Sequence, residues 1–113
     1  MMELRFRAWN GKQMLELQKI SFKTGVCLPY GWNIGRKFNN IMQYANRKTP
    51  YGDRICEGDI VNSDEGIKGI VKIEDDCFIV HEREGHDFDL SSYSVETILG
   101  NIYENSELLE GIK

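Results

Sequence analysis

The chain opens with a pattern typical of a β-strand that has one buried face. Residues 2–9 alternate between charged and apolar side chains. Leu4, Phe6 and Ala8 fall on one side, and Glu3, Arg5 and Arg7 on the other. A period of two places successive side chains on opposite faces of a strand. We therefore expect Phe6 and Ala8 to be buried and both arginines to face solvent.

A hairpin, a second strand and a long loop are predicted next. Asn10-Gly11 is the strongest two-residue hairpin signal, and residues 12–22 carry enough apolar positions for a strand. Residues 23–40 contain three glycines, one proline and three asparagines, a composition typical of a loop. A loop of this length is uncommon in a compact domain and is often functional. Residues 1–40 are therefore predicted to form a small β part with a hairpin and a long loop.

The rest of the chain predicts short strands joined by tight turns. Asp75-Asp76 separates two apolar runs and predicts a hairpin turn, and Gly100 inside the last run indicates a bulge or a sharp bend. A short helix is expected at the carboxyl end, with Asn105 as its N-cap. Because no long stripe of period 3.6 occurs, the pattern favours an all-β barrel or sandwich. Strands are predicted within residues 41–44, 54–61, 67–74, 77–83 and 95–104, with a brief one near the centre of residues 84–93.

The composition indicates a soluble globular protein. A chain of 113 residues with 41% hydrophobic content fits one domain or two very small ones. Apolar runs long enough to span a bilayer and a signal-peptide pattern are absent from the sequence, so we expect a cytoplasmic protein. The three cysteines, Cys27, Cys56 and Cys77, form no CxxC pair, and we expect reduced thiols that are mostly buried.

Charge is distributed very unevenly along the chain. Residues 1–50 hold nine Lys and Arg against two acids, a net charge of +7. Residues 51–113 hold five against sixteen, a net charge of −11, and the sum is the overall −4. Opposite charges of this size could meet within one chain or join neighbouring copies into a homo-oligomer.

Catalytic and metal-binding motifs are weak. In HEREGH, residues 81–86, the histidines lie five apart and Gly85 occupies the position where a helical zinc motif needs its second ligand. The acidic clusters do not match a calcium loop, and the sequence has no phosphate-binding glycine motif or GxSxG. We therefore predict no metal, no cofactor and no catalytic residues.

The basic half carries a candidate binding surface. Lys and Arg interleaved with aromatic side chains can stack and neutralise single-stranded nucleic acid, although the aromatics could equally form the core. The overall pI of about 5.2 weakens the nucleic-acid interpretation. The candidate residues for a protein or nucleic-acid partner are Arg5, Arg7, Trp9, Trp32, Arg36, Lys37, Arg47 and Lys48.

The EGDIV stretch, residues 57–61, predicts a bend that leads into a strand. Gly58 permits a close turn, and Asp59 can accept a hydrogen bond from the local backbone. Together with LRFRAW near the start, IMQY before it and ILGNIYENSELL about forty residues later, this stretch resembles the YopX family of phage and prophage proteins. Residues 45–46, Cys56 and Ser106 depart from the usual Thr-Gly, Tyr and Pro of that family.

The resemblance implies a fold but no chemistry. Members of the family look like small proteins with an SH3-like β-barrel in the carboxyl half and no established activity. The expectation is therefore a mainly β protein, with an SH3-like barrel in residues 41–113 and a short terminal helix. We expect a phage-encoded, non-enzymatic protein-binding or adaptor module in the bacterial cytoplasm, with nucleic-acid binding as the alternative.

Overall fold

The computed structural model describes residues 4–112 and is mainly β. Strands account for 53% of it, arranged in two antiparallel sheets that do not close on themselves among these residues. Helical structure there consists of three single 3₁₀ turns, Arg83–Gly85, Leu90–Ser92 and Ser106–Leu109. The strands are β1 (Phe6–Trp9), β2 (Met14–Ile20), β3 (Val26–Pro29), β4 (Arg36–Lys37), β5 (Asn40–Lys48), β6 (Arg54–Cys56), β7 (Asp59–Ser63), β8 (Lys68–Glu74), β9 (Cys77–Glu82), β10 (Asp87–Asp89) and β11 (Val95–Asn101).

The chain divides into two compact units, Met1–Tyr44 and Ala45–Lys113. The division falls inside β5, whereas the sequence placed it after residue 40. The start of β5 pairs with β1, with Asn40 opposite Trp9, and the strand order continues from β5 to β6. The strand predicted at residues 41–44 therefore continues through residues 45–48, the end of a nine-residue strand.

The first unit is built on the predicted hairpin. Strands β1 and β2 pair from Trp9 opposite Met14, and the Asn10 side chain accepts hydrogen bonds at 2.8 Å from the backbone N–H groups of residues 12 and 13. Its small core contains the buried side chains of Ala8, Leu17 and Cys27. Leu4 was predicted on the same buried side as Ala8, but it precedes β1 and is 62% exposed.

The solvent-facing position predicted for Arg7 is wrong. Arg7 is only 8% exposed, and its guanidinium lies 5.8 Å from the centre of the Tyr44 ring. Strand β1 lies between β2 and β5 in the sheet, and Tyr44 of β5 covers part of the second face. Alternation along β1 therefore could not reveal that both of its faces are occupied.

Residues 23–40 are not a continuous loop. Strand β3 pairs with β2, with Cys27 opposite Ile20, and β4 pairs with β3. The turn-forming residues lie between these strands, and Pro29 falls at a strand end, where its missing N–H costs no ladder hydrogen bond. Pairing with β2 outweighs the loop-like composition.

The second unit contains a five-stranded sheet in the order β10-β9-β8-β7-β11. Asp75 and Asp76 both have positive φ angles, 50° and 64°, as a type I′ hairpin turn requires, and they join β8 to β9 as predicted. The register of β11 on β7 shifts between Ile98 and Gly100, which confirms the predicted bulge. The core of this unit contains Ala45, Ile55, Val61, Val71, Val80, Leu90, Tyr93 and Val95.

The carboxyl end differs from the predicted capped helix. Ser106–Leu109 is a single 3₁₀ turn, and the preceding Asn105 makes no side-chain capping hydrogen bond. Its Oδ1 instead accepts a hydrogen bond from the backbone N–H of Asn101 at 3.0 Å. The side chain therefore stabilises the end of β11 rather than the turn that follows.

Candidate functional site

Asp59 of the EGDIV stretch is a structural carboxylate. Gly58 has a φ of 88°, a conformation that glycine adopts without strain, and it turns the chain between β6 and β7. The Oδ2 atom of Asp59 accepts a hydrogen bond of 2.8 Å from the backbone N–H of Cys56. Asp59 is 2% exposed. The predicted bend is confirmed, and its carboxylate lies inside the protein.

The GNIYEN segment, residues 100–105, pairs directly with this bend. Asn101 lies opposite Asp59 in the β7–β11 ladder, and the backbone N–H of Ile102 donates to the Gly58 carbonyl at 2.9 Å. The Asn101 side chain accepts hydrogen bonds from the backbone N–H groups of Tyr103 and Glu104 at 3.0 and 2.9 Å. The two sequence segments therefore form one folded turn structure.

The exposed chemistry of the first unit is concentrated in residues 30–37, which we call the tip. The guanidinium of Arg36 lies 5.4 Å from the centre of the Trp32 ring, within the range of a cation–π contact. Beside this pair, Tyr30 is 66% exposed and Ile34 is 79% exposed. The structure thus brings together Trp32, Arg36 and the adjacent Lys37 of the predicted surface. It adds two exposed side chains that the sequence did not single out.

Arg5 and Arg7 belong to a different cluster. The Arg5 guanidinium lies 4.8 Å from the centre of the Tyr44 ring and forms an ion pair with Glu16 at 3.0 Å, and the Tyr44 hydroxyl also donates to Glu16. Trp9 is half-buried at the end of β1. The guanidinium groups of Arg5 and Arg7, which were predicted to contact a partner, therefore interact with side chains of the first unit.

Arg47 and Lys48 lie in the second unit. Lys48 is exposed, whereas Arg47 donates a hydrogen bond to the Leu90 carbonyl. Arg47 also lines an open groove of about 540 Å³. Sequence reasoning missed this groove, because its walls come from three separated segments. The lining residues are Ala45, Asn46, Arg47, Cys77, Phe78, Asp89, Leu90 and Ser91.

The groove combines apolar walls with acidic groups. Phe78 and Leu90 belong to the core side of the second unit, and Asp89 lines the opening. Hydrogen bonds from the Ser91 hydroxyl at 2.7 Å and the Ser91 backbone N–H at 2.9 Å lower the pKa of the Asp89 carboxyl below its ordinary value. The Asp75-Asp76 turn immediately precedes Cys77 of the lining. We call Asp75, Asp76 and Asp89 the acidic rim.

The histidines of HEREGH do not share a helix face. His81 belongs to β9, and its Nδ1 lies 2.5 Å from an Asp87 carboxylate oxygen. His86 follows the 3₁₀ turn Arg83–Gly85. Residues 4–112 contain no group of three or more His, Cys, Asp or Glu side chains arranged to hold a metal ion.

The cysteines are free thiols, and two of the three are buried. Burial raises the pKa of the Cys27 thiol, which disfavours the nucleophilic thiolate. The burial of two cysteines agrees with the expectation of mostly buried thiols, and the third cysteine, Cys77, is exposed and lines the groove.

The helical segments are single 3₁₀ turns. Within the described residues, none is long and apolar enough to cross a membrane.

The fold and its paired turn segments define a small, mainly β protein whose most distinctive sequence blocks maintain structure. The sequence model of the YopX protein family matches residues 5–110. The chain therefore belongs to the YopX family, as the resemblance indicated. No curated protein matches the chain at a significant level.

Proposed function

We propose that the protein is a non-enzymatic binding module whose tip docks on an acidic surface of a partner protein. The observation that carries this proposal is the exposure of Tyr30 and Ile34 in the same short segment as the Trp32–Arg36 pair. Large apolar side chains held in a compact turn beside a stacked arginine have little to contribute to the fold of their own unit. They are well suited to contact a second molecule.

The residue types and the charge of the first unit support this assignment. Trp, Tyr and Arg are the side chains most enriched among the residues that dominate protein–protein binding energies. Residues 1–44 hold seven Lys and Arg against two acids, a net charge of +5. A basic surface of this kind favours encounter with acidic partners and disfavours basic ones.

Membership of the YopX family supports proposals on the scaffold, the origin and the location of the protein. We propose that the second unit is an SH3-like small barrel that acts as the scaffold for the binding surfaces. On the basis of the resemblance to YopX proteins, the proposal includes a phage or prophage origin and action in the bacterial cytoplasm. Small β scaffolds commonly bind through their loops and grooves, and this fold does not by itself imply a reaction.

The binding proposal is tested by affinity capture from lysate of phage-infected bacteria, with nuclease treatment. We expect the natural protein to retain a host or phage protein after nuclease treatment. Ile34→Asp should lose it, because the substitution places a charge in the contact and repels an acidic partner. With the purified partner, Ile34→Asp should weaken binding at least about tenfold.

The matched control is Tyr51→Asp, which places the same new carboxylate at a 70% exposed site of the second unit. It should bind the partner like the natural protein. Equal retention by the Ile34→Asp variant would refute the assignment of the tip as the binding surface.

Single-stranded nucleic acid is the second candidate ligand. Trp32 with Arg36 and Lys37 offers a stacking surface and positive charge, which are the two elements of sequence-independent binding. We expect only weak filter binding, falling steeply between about 50 and about 200 mM salt, because each neutralised phosphate releases counterions. Tight binding at the higher salt, together with capture that nuclease abolishes, would favour nucleic acid over protein.

A further inference from the structure

We propose that the tip of one copy docks in the groove of a second copy, so that the protein self-associates head to tail. This inference rests on the proposed function only in using the tip as a binding surface. It identifies the groove lined by Phe78 and Leu90 in a second copy as the site that receives the tip. The groove is then a second binding site of the protein.

The groove is suited to an apolar segment that carries positive charge. Its volume of about 540 Å³ lies within the usual range for sites that enclose side chains or small ligands. Half-buried Phe78 supplies the accessible apolar surface, and Ala45 and Leu90, which are 2% and 3% exposed, form the wall behind it. Of the acidic rim, Asp89 lines the groove and the Asp75-Asp76 turn precedes its lining residue Cys77 along the chain. The groove's one guanidinium, that of Arg47, is held at the wall by its hydrogen bond to the Leu90 carbonyl.

The tip supplies the complementary chemistry. Ile34 is more exposed than Tyr30, the other large exposed apolar side chain of the tip, and the neighbouring Arg36 and Lys37 are both exposed cations. Insertion of Ile34 against Phe78 would bury apolar surface, and the guanidinium of Arg36 would meet the acidic rim. Lys37 follows Arg36 in β4 and points to the opposite face, so it adds to the positive charge of the tip without entering the contact. Such charge pairing fixes orientation and speeds encounter, while the apolar contact supplies the affinity.

The net charges of the two units point the same way. Residues 1–44 carry +5, and residues 45–113 hold seven Lys and Arg against sixteen acids, a net charge of −9. Two copies therefore attract when the first unit of one approaches the second unit of the other, and they repel in like-to-like arrangements. A contact between unlike surfaces closes into a ring or continues as a filament.

Sedimentation equilibrium at about 100 μM protein is the first measurement. At about 20 mM salt, where charges act over long distances, we expect a mass above that of one chain. At about 500 mM salt the association should weaken severalfold, because the rim contacts are exposed and screened. A mass of one chain at low salt would overturn the proposal.

Two variants separate the surfaces. Ile34→Asp removes the apolar contact of the tip and leaves the groove intact, whereas Ser91→Arg fills the groove with an exposed cation and leaves the tip intact. Each variant alone should be a monomer. An equimolar mixture should form a one-to-one dimer that grows no further, because only one functional tip and one functional groove remain.

Failure of the mixture to dimerise, or undiminished association of either variant, would contradict head-to-tail docking. Tyr51→Asp is the control and should associate like the natural protein. Circular dichroism checks folding, and Tyr30→Ser provides a second tip variant should Ile34→Asp not fold.

Capture distinguishes this inference from the proposed function. Ser91→Arg should still retain the acidic partner while losing self-association. Loss of partner binding in Ile34→Asp without any self-association of the natural protein would support the binding module and refute the head-to-tail contact.

Discussion

Tyr93 and Glu82 form a buried polar pair in the second unit. The Tyr93 hydroxyl donates to a carboxylate oxygen of Glu82, and both side chains are at least nine-tenths buried. Burial, followed by the hydrogen bond to Glu82, raises the pKa of Tyr93 above its ordinary value. The folded chain therefore favours the neutral phenol, which alone can donate this hydrogen bond.

Replacement of Tyr93 by Phe should lower the free energy of unfolding by about 1–3 kcal/mol, because a buried carboxylate loses its hydroxyl donor. The pair also predicts an alkaline sensitivity. The stability that Tyr93 contributes is fully present below the ordinary tyrosine pKa of about 10. It falls at higher pH, where the unfolded chain loses the proton and the folded chain retains it.

Urea unfolding at about pH 8 and about pH 11 measures both effects. The natural protein should lose more stability across this interval than Tyr93→Phe does. The exposed variant Tyr51→Phe is the control and should lose as much as the natural protein. Equal losses in the natural protein and Tyr93→Phe would mean that the pair has no part in the pH dependence.

At the scale of the element, the end of β11 depends on a close approach between Gly100 and Asn105. A Cβ atom at residue 100 would lie 2.5 Å from Asn105 Cγ, much closer than packed carbon atoms come. Asn105 cannot move away freely, because its Oδ1 accepts the hydrogen bond from the backbone N–H of Asn101. The bulge at the end of β11 therefore requires both the absence of a side chain at Gly100 and the side chain of Asn105.

Gly100→Ala should destabilise the protein by about 1–3 kcal/mol through this clash. The cost should shrink when Asn105 is also changed to Ala, because the obstructing amide is then absent. A double-mutant cycle in urea isolates this coupling. Additive effects of the two substitutions would show that the contact does not determine the requirement for glycine.

At the scale of the whole molecule, the two units differ in the size of their cores. Among residues 4–112, the buried core cluster of the first unit contains Ala8, Leu17 and Cys27, whereas eight buried side chains form that of the second unit. Since local opening is easiest where few apolar contacts must be broken, the two units should differ in local stability.

Native-state hydrogen exchange should therefore be faster in the first unit. We expect backbone amides of β2 and β3 to exchange at least about tenfold faster than those in the centres of β8 and β9. Amides bonded within the sheets of both units provide an internal comparison under one set of conditions. Equal protection in the two units would indicate that the chain opens only as a whole.

The sequence by itself determined the features that depend on a few adjacent residues. Asp75-Asp76 predicted a hairpin turn, because aspartate tolerates positive φ better than most residues. The bend at Gly58, the bulge at Gly100 and the mainly β class followed from the same local chemistry. The sequence also predicted membership of the family, because EGDIV and GNIYEN are contiguous segments whose residues form turns.

Tertiary structure decided the features that depend on what packs on each residue. Arg7 is buried because Tyr44 covers its face of β1. Residues 26–29 form a strand because β2 offers backbone partners, which outweighs their glycine- and proline-rich surroundings. Asn105 does not cap the turn that follows it, because its side chain accepts a hydrogen bond from the backbone N–H of Asn101 instead.

Part of the candidate site was predictable from the sequence, and part depended on tertiary structure. The sequence identified Trp32, Arg36 and Lys37 as a basic aromatic surface because they are neighbours along the chain. It could not show that Arg5 and Arg7 stack on Tyr44, nor that Arg47 lines a groove with Phe78 and Leu90. Those contacts join residues distant in sequence, and only the pairing of strands brings their side chains together.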